Sequence, residues 1–184
     1  MKKMGLVIFV AGMTFAFFSP PWARTETQGD CPSCEPFGMQ RFTEKKEAPA
    51  FTLKSMDGTQ VTLNQLKGKP VFLFFWGTWC DSCKEDIVLV QKFAEGKKDL
   101  ISFYTVVVDG EREKRARQLM EKLKVKLPSL LLYKEKVIDT YEIRMIPTVY
   151  LIDQDGFLAG RSIGPRDWCK PQAWSVVKEL LSIH

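Results

Sequence analysis

Five of the 184 residues are cysteines, and four of them fall in two C-x-x-C pairs, Cys31-Pro-Ser-Cys34 and Cys80-Asp-Ser-Cys83. Two intervening residues let the sulfurs of each pair bond with little backbone movement, so either pair could store or pass on two electrons. The alternatives for paired cysteines are a zinc knuckle and a purely structural disulfide. A four-ligand site would have to join pairs about 45 residues apart, where zinc motifs usually leave roughly 15 to 20. The sole histidine is His184, so no mixed Cys/His site is available, and neither pair is followed by the histidine of a haem attachment motif. The reading is therefore redox chemistry, with no metal and no cofactor beyond the disulfide itself.

What activates a cysteine is its place on an element. Residues 70–76, Pro-Val-Phe-Leu-Phe-Phe-Trp, form a near-continuous apolar run, as a central strand covered on both faces requires. From Cys80 the period changes: Cys83, Ile87, Val90 and Ala94 form one helical stripe that Gly96 can end. Cys80 thus falls at a helix N-terminus, where unpaired backbone N–H groups and the macrodipole favour a thiolate. A thiol pKa near 8.5 falls to about 7 or lower in such settings. Cys83, on the apolar stripe, is expected to be more buried and to stay protonated. Cys80 is then the attacking sulfur and Cys83 the resolving one. Trp79, beside the nucleophile, offers an apolar docking surface, or else packs in the core.

The remaining elements frame this junction. Ala50–Leu53 and Val61–Leu63 suggest two short strands around a turn at Met56-Asp57-Gly58. Leu100–Val108 predicts a further buried strand, Glu111–Lys124 a helix and Ser129–Leu132 a short strand. Thr148–Ile152 and Leu158–Ser162 flank an Asp-Gly turn as a hairpin, and Trp174, Val177, Leu180 and Leu181 mark a closing helix with Pro171 in its first turn. Together they imply an α/β fold, a mixed central sheet with helices on both faces.

At the N-terminus, Lys2 and Lys3 precede an apolar run from Leu6 to Phe18 and a small residue at Ala23. That is the layout of a secretory signal over 1–23, or of a short uncleaved anchor, since the run is well under the ~20 residues of a spanning helix. Residues 24–47 are polar, with Pro32 and Pro36, and read as a linker or extended tail carrying Cys31 and Cys34; the domain is expected over 48–184. Export places the protein in a periplasmic or other extracytoplasmic space, where disulfides persist. The net charge is +5, with positive residues clustered between Arg112 and Lys126. Ala116, Leu119, Met120 and Leu123 recur there at helical spacing, so the charges are the wet face of an amphipathic helix and not a nucleic-acid site.

Trp76-Gly-Thr-Trp79-Cys80-x-x-Cys83-Lys84 resembles the active site of the TlpA/ResA-like thioredoxins, exported thiol:disulfide oxidoreductases that serve cytochrome c maturation and related pathways. Similarity extends to Ala48-Pro-Ala-Phe-Thr-Leu, Asp57-Gly58, Leu66-Lys-Gly-Lys-Pro-Val and Tyr141-Glu-Ile-Arg-Met-Ile-Pro147-Thr148. The resemblance implies a thioredoxin-like fold over roughly Ala48 to Ile183. It implies a cis peptide at Pro147 that faces the dithiol and exposes the backbone of Ile146 to a substrate chain. It also implies that Asp86, three residues after Cys83, assists the resolving thiol. Phe74 stands where cytoplasmic thioredoxin has a buried aspartate, so proton handling here needs another group or solvent.

The implied function is reduction of disulfides in exported proteins, with protein thiols and disulfides as partners, a membrane dithiol as electron donor and no nucleic acid. A disulfide oxidase or isomerase is the runner-up, since redox potential sets direction. A thioredoxin-fold metal carrier and a thiol peroxidase stand further off, because the first favours C-x-x-x-C with a distant histidine and the second a lone cysteine before the helix. Oligomeric state is left open. Cys31 and Cys34 are expected to form a local disulfide in a mobile tail, or to exchange with Cys80 and Cys83. Cys169 is expected to be a small packed residue.

Overall fold

The computed structural model describes residues 31–183. The expected leader, 1–23, and the first part of the expected linker lie outside the described residues. In chain order the elements are α1 (Cys34–Phe37), β1 (Gln40–Arg41), β2 (Thr52–Ser55), β3 (Gln60–Thr62), β4 (Val71–Trp76), α2 (Asp81–Ala94), β5 (Ser102–Val107), α3 (Glu113–Lys122), β6 (Ser129–Leu131), α4 (Val137–Thr140), β7 (Thr148–Ile152), β8 (Leu158–Ile163) and α5 (Pro171–Leu181). Single 3₁₀ turns occupy Leu63–Leu66 and Gly110–Arg112.

All eight strands join one sheet in the order β1-β8-β7-β4-β5-β6-β2-β3. β4, β5 and β6 run parallel, and the flanking pairs are antiparallel. Every residue of β4 is buried, as its unbroken apolar run requires of a strand covered on both faces. Alternation then sends Phe72, Phe74 and Trp76 to one layer and Leu73 and Phe75 to the other. The two parallel crossovers advance in the same direction across the sheet, and right-handed connections therefore put α2 and α3 on one face. α5 shares that layer through Ala173, Val176 and Val177, while the opposite layer is closed by the one-turn α4, by Leu63 and by Tyr141. Helical cover is thus present on both faces but unequal. α4 was not legible in the sequence, being a single turn with one buried residue, Val137.

Upstream of Ala48 the expectation of a linker is corrected. Residues 31–47 belong to the folded body: α1 packs on α5, and β1 extends the sheet with Gln40 opposite Arg161 and Arg41 opposite Gly160. Few apolar residues achieve this, which is why composition hid it. Phe37 and Met39 are buried, and the half-buried Phe42 stacks on Tyr150 with ring centroids 6.2 Å apart. Cys169 is also corrected: it is exposed with a free thiol, because the neighbouring Trp168 takes the buried place among Phe37, Phe72 and Phe93.

Candidate active site

β4 delivers the chain into the segment Gly77–Cys80, and α2 begins at Asp81 with Cys80 as its N-cap. The Cys80 Sγ accepts the backbone N–H of Cys83 at 3.2 Å, so one orphan donor of the helix end is aimed at this sulfur. Ser82 Oγ lies 3.5 Å from the same atom. Cys80 and Cys83 are joined in a disulfide; Cys83 is wholly enclosed and Cys80 keeps a sliver of surface, in the order their helix positions predict.

The connecting loop is pinned by a residue that the sequence did not single out. Asp109, just past β5, accepts the Thr78 backbone N–H at 3.0 Å and its hydroxyl at 2.6 Å, with Thr78 fully buried. An acidic residue at the end of the neighbouring parallel strand was the available signal, but strand adjacency is a tertiary fact. Gly77 serves the same loop, since a Cβ there would come within 3.1 Å of both Ile146 Cδ1 and the Trp79 indole. The indole can therefore fold beside Ile146. Trp79 is 58% exposed, which corrects the packed-core reading; Met145, equally exposed, lies on the same apolar rim.

The Ile146–Pro147 peptide is cis, as the resemblance implied. The Ile146 carbonyl oxygen lies 4.0 Å from Cys80 Sγ, and the turn is held by Gly164 N–H on the Pro147 carbonyl at 2.8 Å and by Thr148 Oγ1 donating to the Met145 carbonyl at 2.7 Å. Cys80, Trp79, Ile146 and Pro147, separated by up to 68 positions in sequence, thus share one edge of the molecule.

Asp86 lies on α2 one turn beyond Cys83, on the buried side of the helix: it is 3% exposed, where a helical carboxylate usually faces water. Its two oxygens accept the Arg166 backbone N–H at 3.1 and 3.3 Å. Burial pushes its pKa up to about 7, against the lowering effect of Arg166, and the nearby Asp167 charge adds to the rise. The Trp168 indole N–H, buried and without an acceptor among the described residues, lies beside the same carboxyl. A carboxyl poised near neutrality can take or return a proton at ordinary pH. Arg166 and Trp168 carry no motif in the sequence, and they meet Asp86 through the loop after β8.

The second pair, Cys31 and Cys34, is bonded to itself and not to Cys80 or Cys83. Cys34 is buried and Cys31 half-buried. Among the described residues no cluster of three or more His, Cys, Asp or Glu is arranged to hold a metal ion, and no helix is long and apolar enough to cross a membrane.

Comparison with known proteins yields one consistent set of relatives. Residues 45–161 match the AhpC/TSA family. The chain is 33% identical over 120 residues to the thiol-disulfide oxidoreductase ResA of Bacillus subtilis, a match that covers 65% of this chain and 66% of the relative's length. Among solved structures, the thioredoxin domain of a thiol-disulfide oxidoreductase from Bacteroides vulgatus superposes with a TM-score of 0.65 at 26% identity, over 76% of this chain and 99% of that one. An exposed lipoprotein thioredoxin from Streptococcus pneumoniae gives 0.63 at 29% identity, over 71% and 99%. The fold is thioredoxin-like.

Proposed function

We propose, since the chain belongs to the AhpC/TSA family, that it is a thiol:disulfide oxidoreductase that reduces disulfides of extracytoplasmic proteins through Cys80 and Cys83. The observation that carries this reading is the asymmetry of the dithiol: Cys80 caps a 14-residue helix and borders Ile146 at the surface, while Cys83 is sealed behind it. In the reduced state the Cys80 thiolate, supported by the Cys83 N–H, attacks a substrate disulfide; the substrate S–S bond breaks and one substrate thiolate leaves. The substrate backbone pairs with the exposed edge at Ile146 and rests on Trp79 and Met145. Cys83 then yields its proton to the Asp86 carboxylate and attacks Cys80 Sγ, which re-forms the Cys80–Cys83 disulfide and frees the second substrate thiolate. Asp86 passes the proton on to the departing substrate thiolate. Two electrons have passed to the substrate, and a membrane dithiol donor restores them.

Cytochrome c maturation is one pathway that such a reductase serves, and the basic, apolar N-terminus supports export with cleavage or anchoring there. Measurement of the dithiol's redox potential tests the direction. A value near or below about −200 mV is expected, and one near the roughly −120 mV of strong oxidants would make the protein an oxidase.

A further inference from the structure

We propose that the turn closed by the Cys31–Cys34 disulfide is a positioning element for Asp86, acting through Arg166. The inference rests on the proton-transfer role proposed for Asp86. Its geometry begins at the disulfide. Cys34 N–H donates to the Cys31 carbonyl at 3.0 Å and Met39 N–H to the Cys34 carbonyl at 2.8 Å, so the bonded pair and the single turn of α1 form one tight unit. Ser33 ties that unit to α5, its hydroxyl donating to Glu179 Oε1 at 2.6 Å and its N–H to Oε2 at 3.3 Å. The turn ends at Gly38 in the left-handed region, φ +72°, which presents the Gly38 carbonyl to Arg166.

Arg166 is held as a fork. Nη2 donates to the carbonyls of Gly38 and Ile163 at 3.1 Å each, and Nη1 to that of Pro165 at 2.7 Å. The Gly38 contact ties this loop to α1, and the Arg166 backbone N–H spans both Asp86 oxygens. A second contact runs in parallel. Phe37 of α1 packs edge-on against Trp168, centroids 5.2 Å apart, and the Trp168 indole lies beside the same carboxyl. α1 therefore bears on both residues that define the environment of Asp86. A Cβ at Gly38 would lie 2.6 Å from Arg166 Nη2, so a methyl there must displace the guanidinium from this carbonyl.

The disulfide makes the arrangement redox-sensitive. An external dithiol that reduces Cys31–Cys34 breaks one S–S bond, supplies two electrons and two protons, and leaves as a disulfide; α1 then loses its cross-link and its hold on Arg166. The charged groups facing Asp86 are Arg166 and Asp167, with Cys83 on its own helix, so loosening that loop admits water to a carboxyl raised chiefly by burial.

The test is reductive turnover of a model protein disulfide by the full chain, with Arg166→Ala, Gly38→Ala and the double change Cys31→Ser/Cys34→Ser, each alone and with Asp86→Asn. Each is expected to lower kcat about three- to tenfold with KM unchanged; Gly38→Ala and the cysteine double change should move the pH midpoint of kcat downward by about one unit as water reaches Asp86, and Arg166→Ala by less, because it also removes the guanidinium that lowers the Asp86 pKa. In the Asp86→Asn background the same changes should add nothing further. Arg166→Lys, which keeps a donor for Gly38, should recover part of the loss. Wild-type kcat and pH midpoint in Arg166→Ala, or an undiminished effect without Asp86, overturns the proposal. Losses in Arg166→Ala and Gly38→Ala with none in the cysteine double variant removes the disulfide from it. Absence of turnover in the unmodified protein strikes instead at the proposed function.

Discussion

The molecule contains the same four-residue motif twice, each closed as a disulfide and each running into a helix, yet the two sites differ in what surrounds them. Cys80 is an N-cap whose sulfur receives a backbone N–H, and α2 continues behind it for 14 residues with a full row of aligned peptides. Cys34 is the first residue of a four-residue turn with no side-chain cap, too short for a macrodipole to matter. Cys80 faces the Ile146 carbonyl and an apolar rim; Cys31 faces a turn tied to Glu179 and α5. Spacing supplies a disulfide in both places, and the two differ in the length and neighbours of the helix that follows.

Loss of activity separates the two pairs most strongly. Cys80→Ser should reduce turnover by on the order of a thousandfold or more, because no other thiol caps a long helix beside Ile146, whereas loss of Cys31 and Cys34 stays within about tenfold. Similar losses from both would erase the distinction. Cys83→Ser complements this by trapping substrates on Cys80, and mixed-disulfide complexes seen by mass spectrometry should map to Cys80 and not to Cys31.

Stability probes the holding role. Phe37→Ala removes a buried ring that packs on Trp168 and should cost about 3 kcal/mol in denaturant unfolding, while the exposed Trp79→Ala should stay within about 0.5. A near-neutral Phe37→Ala would return residues 31–47 to the status of a tail.

Asp86 gives a smaller, pH-dependent effect. Its folded pKa lies above the ordinary 3.8, so its contribution to stability is fully present below about pH 4 and is lost as pH rises through 7. Asp86→Asn cannot titrate. Relative to the wild type, its stability should therefore improve by about 2 kcal/mol between pH 4 and pH 8, about half of what the whole shift implies. A difference flat across that range would show a carboxyl of ordinary pKa. Asp109→Ala should cost about 1–2 kcal/mol, since the buried Thr78 N–H and hydroxyl lose their acceptor. The smallest effect is expected of Trp79→Ala on catalysis, a rise of about threefold in KM with kcat unchanged, as loss of uniform binding predicts.

The sequence by itself determined the strand-to-helix junction and the order of its two cysteines along the helix. An all-apolar run at 71–76 can be satisfied only by burial on both faces, and a 3.6-residue stripe from Cys80 fixes which cysteine lies at the helix end. Hairpin, closing helix and the amphipathic α3 followed from the same periodicities. Only the tertiary structure decided what stands around that junction. Asp86 occupies a position on α2 that a sequence pattern allots to either water or protein, and the loop after β8 made it a buried acid by laying Trp168 and the Arg166 backbone against it. Asp109 became a lock for Thr78 because β5 lies parallel to β4 in register. α1 and β1 became structure because the groove beside Trp168 and the open edge of β8 accept a short polar segment with a few apolar anchors. Periodicity records which face of an element is buried; it carries no record of which distant loop will cover it, and the raised pKa of Asp86 depends on that cover.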